Sequence, residues 1–163
     1  MNLLLVIPFN SGNSAQAEEL VDFLYHFNGK KASGAVLLVA ANEVHAEPCE
    51  KIKISAALAF QHWEMIRVGK ITGDQMAGMF KEVSHYIQLN YRSPFFWSEP
   101  ELRPVGTKWR KQIQDAYESQ PKRYLLKKES RIGVYPVSAY SDVTMAESAV
   151  NRTTVFDEIF KKP

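Results

Sequence analysis

Short runs of uninterrupted apolar residues alternate along this chain with segments whose apolar residues recur at helical spacing. Leu3-Leu4-Leu5-Val6-Ile7, closed by Pro8, reads as a strand buried on both faces. A polar loop, Asn10-Ser11-Gly12-Asn13-Ser14, leads into Leu20, Val21, Leu24 and Phe27 at helical intervals, with Asn28-Gly29 as the stop. Residues 35–40 form a second apolar run. Pro48 is placed as the first residue of a helix that presents Ile52, Ala56, Ala59, Trp63 and Ile66 on one face, with Val68 opening a short strand. Thr72 and Gln75 have capping-box spacing ahead of a helix through Met76, Met79, Phe80, Val83 and Ile87. The aromatic run Phe95-Phe96-Trp97 then reads as a third, central strand.

Beyond it, Arg103-Pro104-Val105-Gly106 reads as a turn, followed by a helix with Trp109, Ile113, Ala116 and Tyr117 inward that ends near Pro121. Short strands are expected at residues 124–126 and at Gly133-Val134-Tyr135-Pro136. From Ser138 on the pattern weakens, leaving one amphipathic segment from Val155 to Phe160. Strands alternating with helices imply an α/β architecture: three layers, αβα, around a mostly parallel sheet. At 163 residues the chain fits one domain, with a core over residues 1–142 and a tail or short helix over 143–163.

Composition excludes several classes. The net charge of +2 argues for neither nucleic acid nor a membrane surface, and no apolar stretch is long enough to span a bilayer. The apolar start lacks a basic leader and a cleavage site, so a cytoplasmic setting is expected. Cys49, the single cysteine, excludes an intrachain disulfide and a four-cysteine zinc site, and reads as a small structural residue. His26, His45, His62 and His85 fall in no ligand pattern.

The segment with most chemistry is Ser93-Pro94-Phe95-Phe96-Trp97-Ser98-Glu99-Pro100-Glu101. Open α/β sheets bind ligands beyond the carboxyl ends of their strands, where Glu99 and Glu101 fall. Two carboxylates there could hold a divalent cation, and the cation a diphosphate. The alternative is a solvated pair flanking Pro100; Asp142 and His85 are possible further donors, with no spacing that recommends either. The loop after the first strand could meet phosphate at a helix N-terminus, or be a plain connector capped by Asn13 or Ser14. Lys108, Arg110, Lys111, Lys122, Arg123, Lys127, Lys128 and Arg131 make one region basic, suited to a diphosphate or to water.

Three segments in order, Leu5-Val6-Ile7-Pro8 with its loop and helix, Phe95 to Glu101 with Pro104 and Trp109 beyond, and Gly133-Val134-Tyr135-Pro136, together resemble the GT-A-type nucleotide-diphospho-sugar transferases. More narrowly they resemble small bacteriophage-borne proteins of that fold, which implies a host-cell cytoplasm or a virion as the location. The second segment is similar to a family strand ending W-x-E-P-D. The resemblance implies a GT-A/Rossmann-like fold with a reduced C-terminal half. It implies that Pro8, Phe9, Asn10 and Ser11 line the nucleotide of a nucleotide-diphosphate sugar donor, and that Glu99 and Glu101 hold Mn or Mg. Glu101 stands where the family has Asp, one methylene of about 1.5 Å longer. The family's acceptor site and catalytic base would come after Asp157-Glu158, so no catalytic base is named. Two functions stand: a metal-dependent glycosyltransferase, or a non-catalytic relative (a pseudoenzyme) serving as a structural module with a protein partner or a second copy.

Overall fold

A computed structural model describes residues 2–69, 75–120, 124–127, 130–140 and 152–163. Within them the chain runs β1 (Leu4–Phe9), α1 (Ser14–Asn28), β2 (Ala32–Ala41), α2 (Ala46–Ala59), β3 (Phe60–Val68), α3 (Gln75–Asn90) and β4 (Phe95–Trp97). Then follow β5 (Arg103–Pro104), α4 (Trp109–Glu118), β6 (Leu125–Lys127), β7 (Gly133–Tyr135), a 3-10 turn (Val137–Tyr140), β8 (Arg152–Thr153), α5 (Val155–Ile159) and β9 (Phe160–Lys161). The main sheet is ordered β3-β2-β1-β4-β7-β6-β8, and β5 pairs separately with β9. The pairs β3-β2, β2-β1, β1-β4 and β6-β8 are parallel, while β7 runs antiparallel to both of its neighbours. The sheet is therefore mostly parallel, as the alternating pattern implies.

The sheet is sandwiched because β4 buries rings on both of its faces. Phe95 and Trp97 meet Phe80 of α3, at centroid distances of 6.0 and 5.0 Å. Phe96 points the other way, onto Trp109 of α4, Phe156 of α5 and Phe160. One continuous buried cluster reaches from Leu3 to Phe160, with Phe156, Ile159 and Phe160 among its members.

Three expectations change. β1 continues through Pro8 and Phe9 instead of closing at Ile7. The carbonyl of Val6 accepts from Ser98 N–H and Leu4 N–H reaches Pro94, so alternate residues of β1 face β4. Pro8 is next in that series, beyond the last β4 partner of β1, where no ladder bond needs its missing donor. α2 begins at Ala46, two residues before Pro48, and ends at Ala59. Trp63 and Ile66 belong to β3: their spacing suits a helix, but parallel pairing with all of Val36 to Ala41 outweighs it. Arg103–Pro104 is a strand rather than a turn because β9 returns to pair with it. Thr72 lies outside the described residues.

The edge strand β3 is tied to α3 and the turn after it through one carboxylate. Glu64 accepts hydrogen bonds from the hydroxyls of Tyr86 (2.5 Å) and Tyr91 (2.6 Å). The bond to Glu64 is the main reason the Tyr86 phenol is pushed up to about 12; burial, then the same carboxylate, raises Tyr91. The folded state thus holds these protons more tightly than the unfolded chain, whose tyrosines ionise near pH 10. Their contribution is complete below about pH 10 and is lost as pH rises toward about 12. Thermal unfolding followed across that range should show a decline that is shallower in Glu64→Gln.

Candidate functional site

Strand order reverses between β1, which leads outward to β2 and β3, and β4, which leads the other way. The region beyond their carboxyl ends is the switch point at which open α/β sheets bind ligands. Its floor is the pairing of Val6 with Trp97. Of the four residues expected to line a nucleotide, Pro8 and Phe9 are buried inside β1, paired with Val39 and Ala40. Asn10 and Ser11 begin the loop. Asn13 Oδ1 accepts from Asn10 N–H and Asn10 Oδ1 from Gly12 N–H, both at 2.8 Å, so those two loop amides are satisfied internally. Asn13 holds the cap position of α1, but its side chain turns back into the loop, leaving the first turn without a side-chain cap.

The second wall is the connector after β2. Arg67 of β3 donates to the carbonyls of Val44 (2.9 Å) and Asn42 (3.4 Å) and approaches Cys49 Sγ at 3.4 Å. Sequence reading missed this residue, because nothing local marks an arginine that clamps a loop from the neighbouring strand. His45 lies in this connector, at the N-cap position of α2. Arg67→Met should cost about 1 kcal/mol and speed amide exchange at Val44, whose N–H bonds to Ala41. Denaturant titration and hydrogen exchange would measure the two effects.

The third wall is the turn after β4. Ser98 is buried, and Leu102 N–H closes the turn onto the Glu99 carbonyl at 3.1 Å. Glu99 and Glu101 do lie beyond the strand end, but cations attend them. Lys162 Nζ stands 3.6 Å from Glu99 Oε2. Arg103 donates to the carbonyls of Pro100 (2.6 Å) and Leu102 (3.1 Å), lies 3.7 Å from Glu19 and sits over the Phe23 ring. Burial lowers the Arg103 guanidinium, and the charges of Glu19 and Glu101 pull it back up. Pairing of β5 with β9 brings these groups together, with Arg103 opposite Lys161.

Carboxylate oxygens suit Mn or Mg. Among the described residues, however, no three metal-ligating side chains cluster, and His85 joins no such group. Asp142 lies outside the described residues. Glu99 is paired with Lys162, and the charge of Glu101 bears on Arg103.

No family model and no curated protein sequence matches the chain. Solved structures do match it in shape. A 4-diphosphocytidyl-2C-methyl-D-erythritol synthase superposes with a TM-score of 0.57 at 11% identity, covering 96% of this chain and 84% of that one. The apo-form glycosyltransferase GlyE of Streptococcus pneumoniae TIGR4 superposes at 0.56 and 12% identity, covering 97% of this chain; the chain spans 42% of GlyE. No described helix is long and apolar enough to cross a membrane. What is shared is architecture: this chain has the GT-A-like, three-layer fold of the nucleotide-diphospho-sugar transferases.

Proposed function

We propose that the protein binds a nucleotide-diphosphate sugar in the crevice between the β1–α1 loop and the turn after β4. One observation carries the reading. The two sequence segments that suggested it, distant along the chain, meet at the switch point of a sheet whose architecture is that of nucleotide-sugar enzymes. In this arrangement the uncapped first turn of α1 faces the diphosphate, since open amides at a helix N-terminus favour anions. Asn10 and Ser11 hold the approach, and the Arg67-clamped connector forms the side wall. Arg103 and Lys162 supply positive charge at the rim.

The second reading is a non-catalytic module of the same fold, in a virion or against a host protein. The pairing of Glu99 with Lys162 favours it, because an ammonium ion stands where a divalent cation would have to approach. Thermal stability in a panel of nucleoside diphosphates and sugar nucleotides, with and without Mn, separates the two. Ligand at 100 times its dissociation constant should stabilise by about 2.7 kcal/mol. A shift with any sugar nucleotide supports the crevice, and its enhancement by Mn restores the metal-dependent transferase. No shift with any of them leaves the non-catalytic module.

A further inference from the structure

A second cavity, of about 400 Å³, lies at the opposite end of the sheet, by the amino-terminal ends of β2 and β3. Lys30, Lys31 and Arg110 line it with Ser33, Gln61 and Thr107, and no acidic residue is among its described walls. The start of α4 also borders it. That helix has no side-chain N-cap and no acidic residue in its first turn.

Arg110 is the telling group. Its guanidinium lies against the backbone of β2 at Gly34, where the register with β3 is irregular between Ala32 and Ala35. A methyl group at Gly34 would overlap Arg110 Nη1, so the absence of a side chain there makes the berth. Nη2 is fully enclosed and has no hydrogen-bond acceptor among the described residues. Trp109 covers the guanidinium at 5.2 Å, and no carboxylate among the described residues pairs with it. Burial alone lowers the Arg110 guanidinium to about 10, which still leaves it charged at neutral pH. A cation largely withdrawn from water, with no counter-ion among the described residues, is costly unless something supplies the negative charge.

We propose that this cavity binds a phosphate-type oxyanion, free or as the phosphoryl group of a small organic ligand, with Arg110 as its main contact. A guanidinium makes charge-assisted hydrogen bonds to phosphate oxygens, and the first-turn amides of α4 favour the same charge. The cavity exceeds the needs of a bare anion and falls within the range of small-ligand sites, about 300–1,000 Å³. It is separate from the crevice at the carboxyl ends of the strands, so it stands or falls independently of the nucleotide-sugar reading.

The test is a melting-temperature titration with inorganic phosphate, and in parallel with glycerol phosphate, at ionic strength held constant with sodium chloride. The wild-type chain should show a saturable rise, reaching about 5–10 °C at 100 times the dissociation constant. A larger rise with the ester means the cavity also holds the organic part; equal rises mean the free anion. Arg110→Met, which keeps volume and removes the charge, should abolish the response and melt higher than wild type without phosphate. Gly34→Ala, which keeps the arginine but displaces it, should weaken binding at least about tenfold. A wild-type response no greater than that to chloride overturns the site. So does an undiminished phosphate response in Arg110→Met, which would place the anion elsewhere.

Discussion

Phe96→Ala should lower the stability of the fold by about 3–5 kcal/mol, the range for emptying a buried aromatic site. Phe96 is 1% exposed and stacks on Phe156 at 5.7 Å with an interplanar angle of 4°, and on Phe160 at 5.5 Å and 22°. Trp109 completes the nest at 6.3 Å, and Trp109 and Phe160 meet edge to face. Such ring pairs add about 0.5–1.5 kcal/mol each beyond the area they bury. The cavity cannot close easily, because β4 is held from both sides by β1 and β7.

The damage should also be directional. β9 is bound to β5 through the pairs Arg103–Lys161 and Pro104–Phe160, so the aromatic nest, beside the Lys127–Asp157 ion pair at 2.6 Å, is a principal anchor of residues 155–161. Without Phe96 that segment should loosen first, releasing Lys162 from Glu99. Hydrogen exchange at Val105, whose N–H bonds to the Ile159 carbonyl, reports the loosening directly. Phe96→Leu, which fills much of the space, should cost clearly less. A loss under about 1 kcal/mol for the alanine variant would mean that the nest does not hold the C-terminal segment.

What could be read from the residues divides along physical lines. Leu4, Val36 and Phe95 lie in runs too apolar to sit anywhere but a covered sheet, so the three central strands were legible, as was the helix stop at Gly29, which adopts φ 63°. β3 was hidden because Trp63 and Ile66 continue the helical spacing of α2, and only the partner strand decides between the two periods. β5, β8 and β9 have two residues each and carry no periodic signal; their partners define them. Glu99 and Glu101 were placed correctly at a strand end, yet the chemistry of that end depends on Lys162 and Arg103, brought near by the β5–β9 pairing. Arg110 looked like one more member of a solvated basic face. Its burial under Trp109 and against Gly34 is a tertiary fact that no local pattern encodes.

Gly133→Ala is expected to cost about 3 kcal/mol, at the top of the usual range for overpacking, because the obstruction is main chain. β7 is an interior strand, with Gly133 opposite Trp97 of β4 on one side and Leu126 of β6 on the other. A Cβ at 133 would lie 2.5 Å from the Leu125 carbonyl oxygen and 3.0 Å from Leu126 Cα. No rotamer change removes those contacts, so β6 must move away from β7. β6 in turn carries β8, through Leu126–Arg152 and Lys127–Thr153, so the displacement passes to the outer edge of the sheet. Gly133 has no left-handed φ; the demand for glycine here is one of space. A double-mutant cycle identifies the obstruction. The extra methyl also approaches the Leu126 side chain, so Leu126→Ala would rescue Gly133→Ala if that side chain were the obstacle. With the backbone of β6 in the way, the double variant should remain as unstable as the sum of the single losses, within about 0.5 kcal/mol in denaturant titration. Rescue to the level of Leu126→Ala alone would assign the requirement for glycine to side-chain packing.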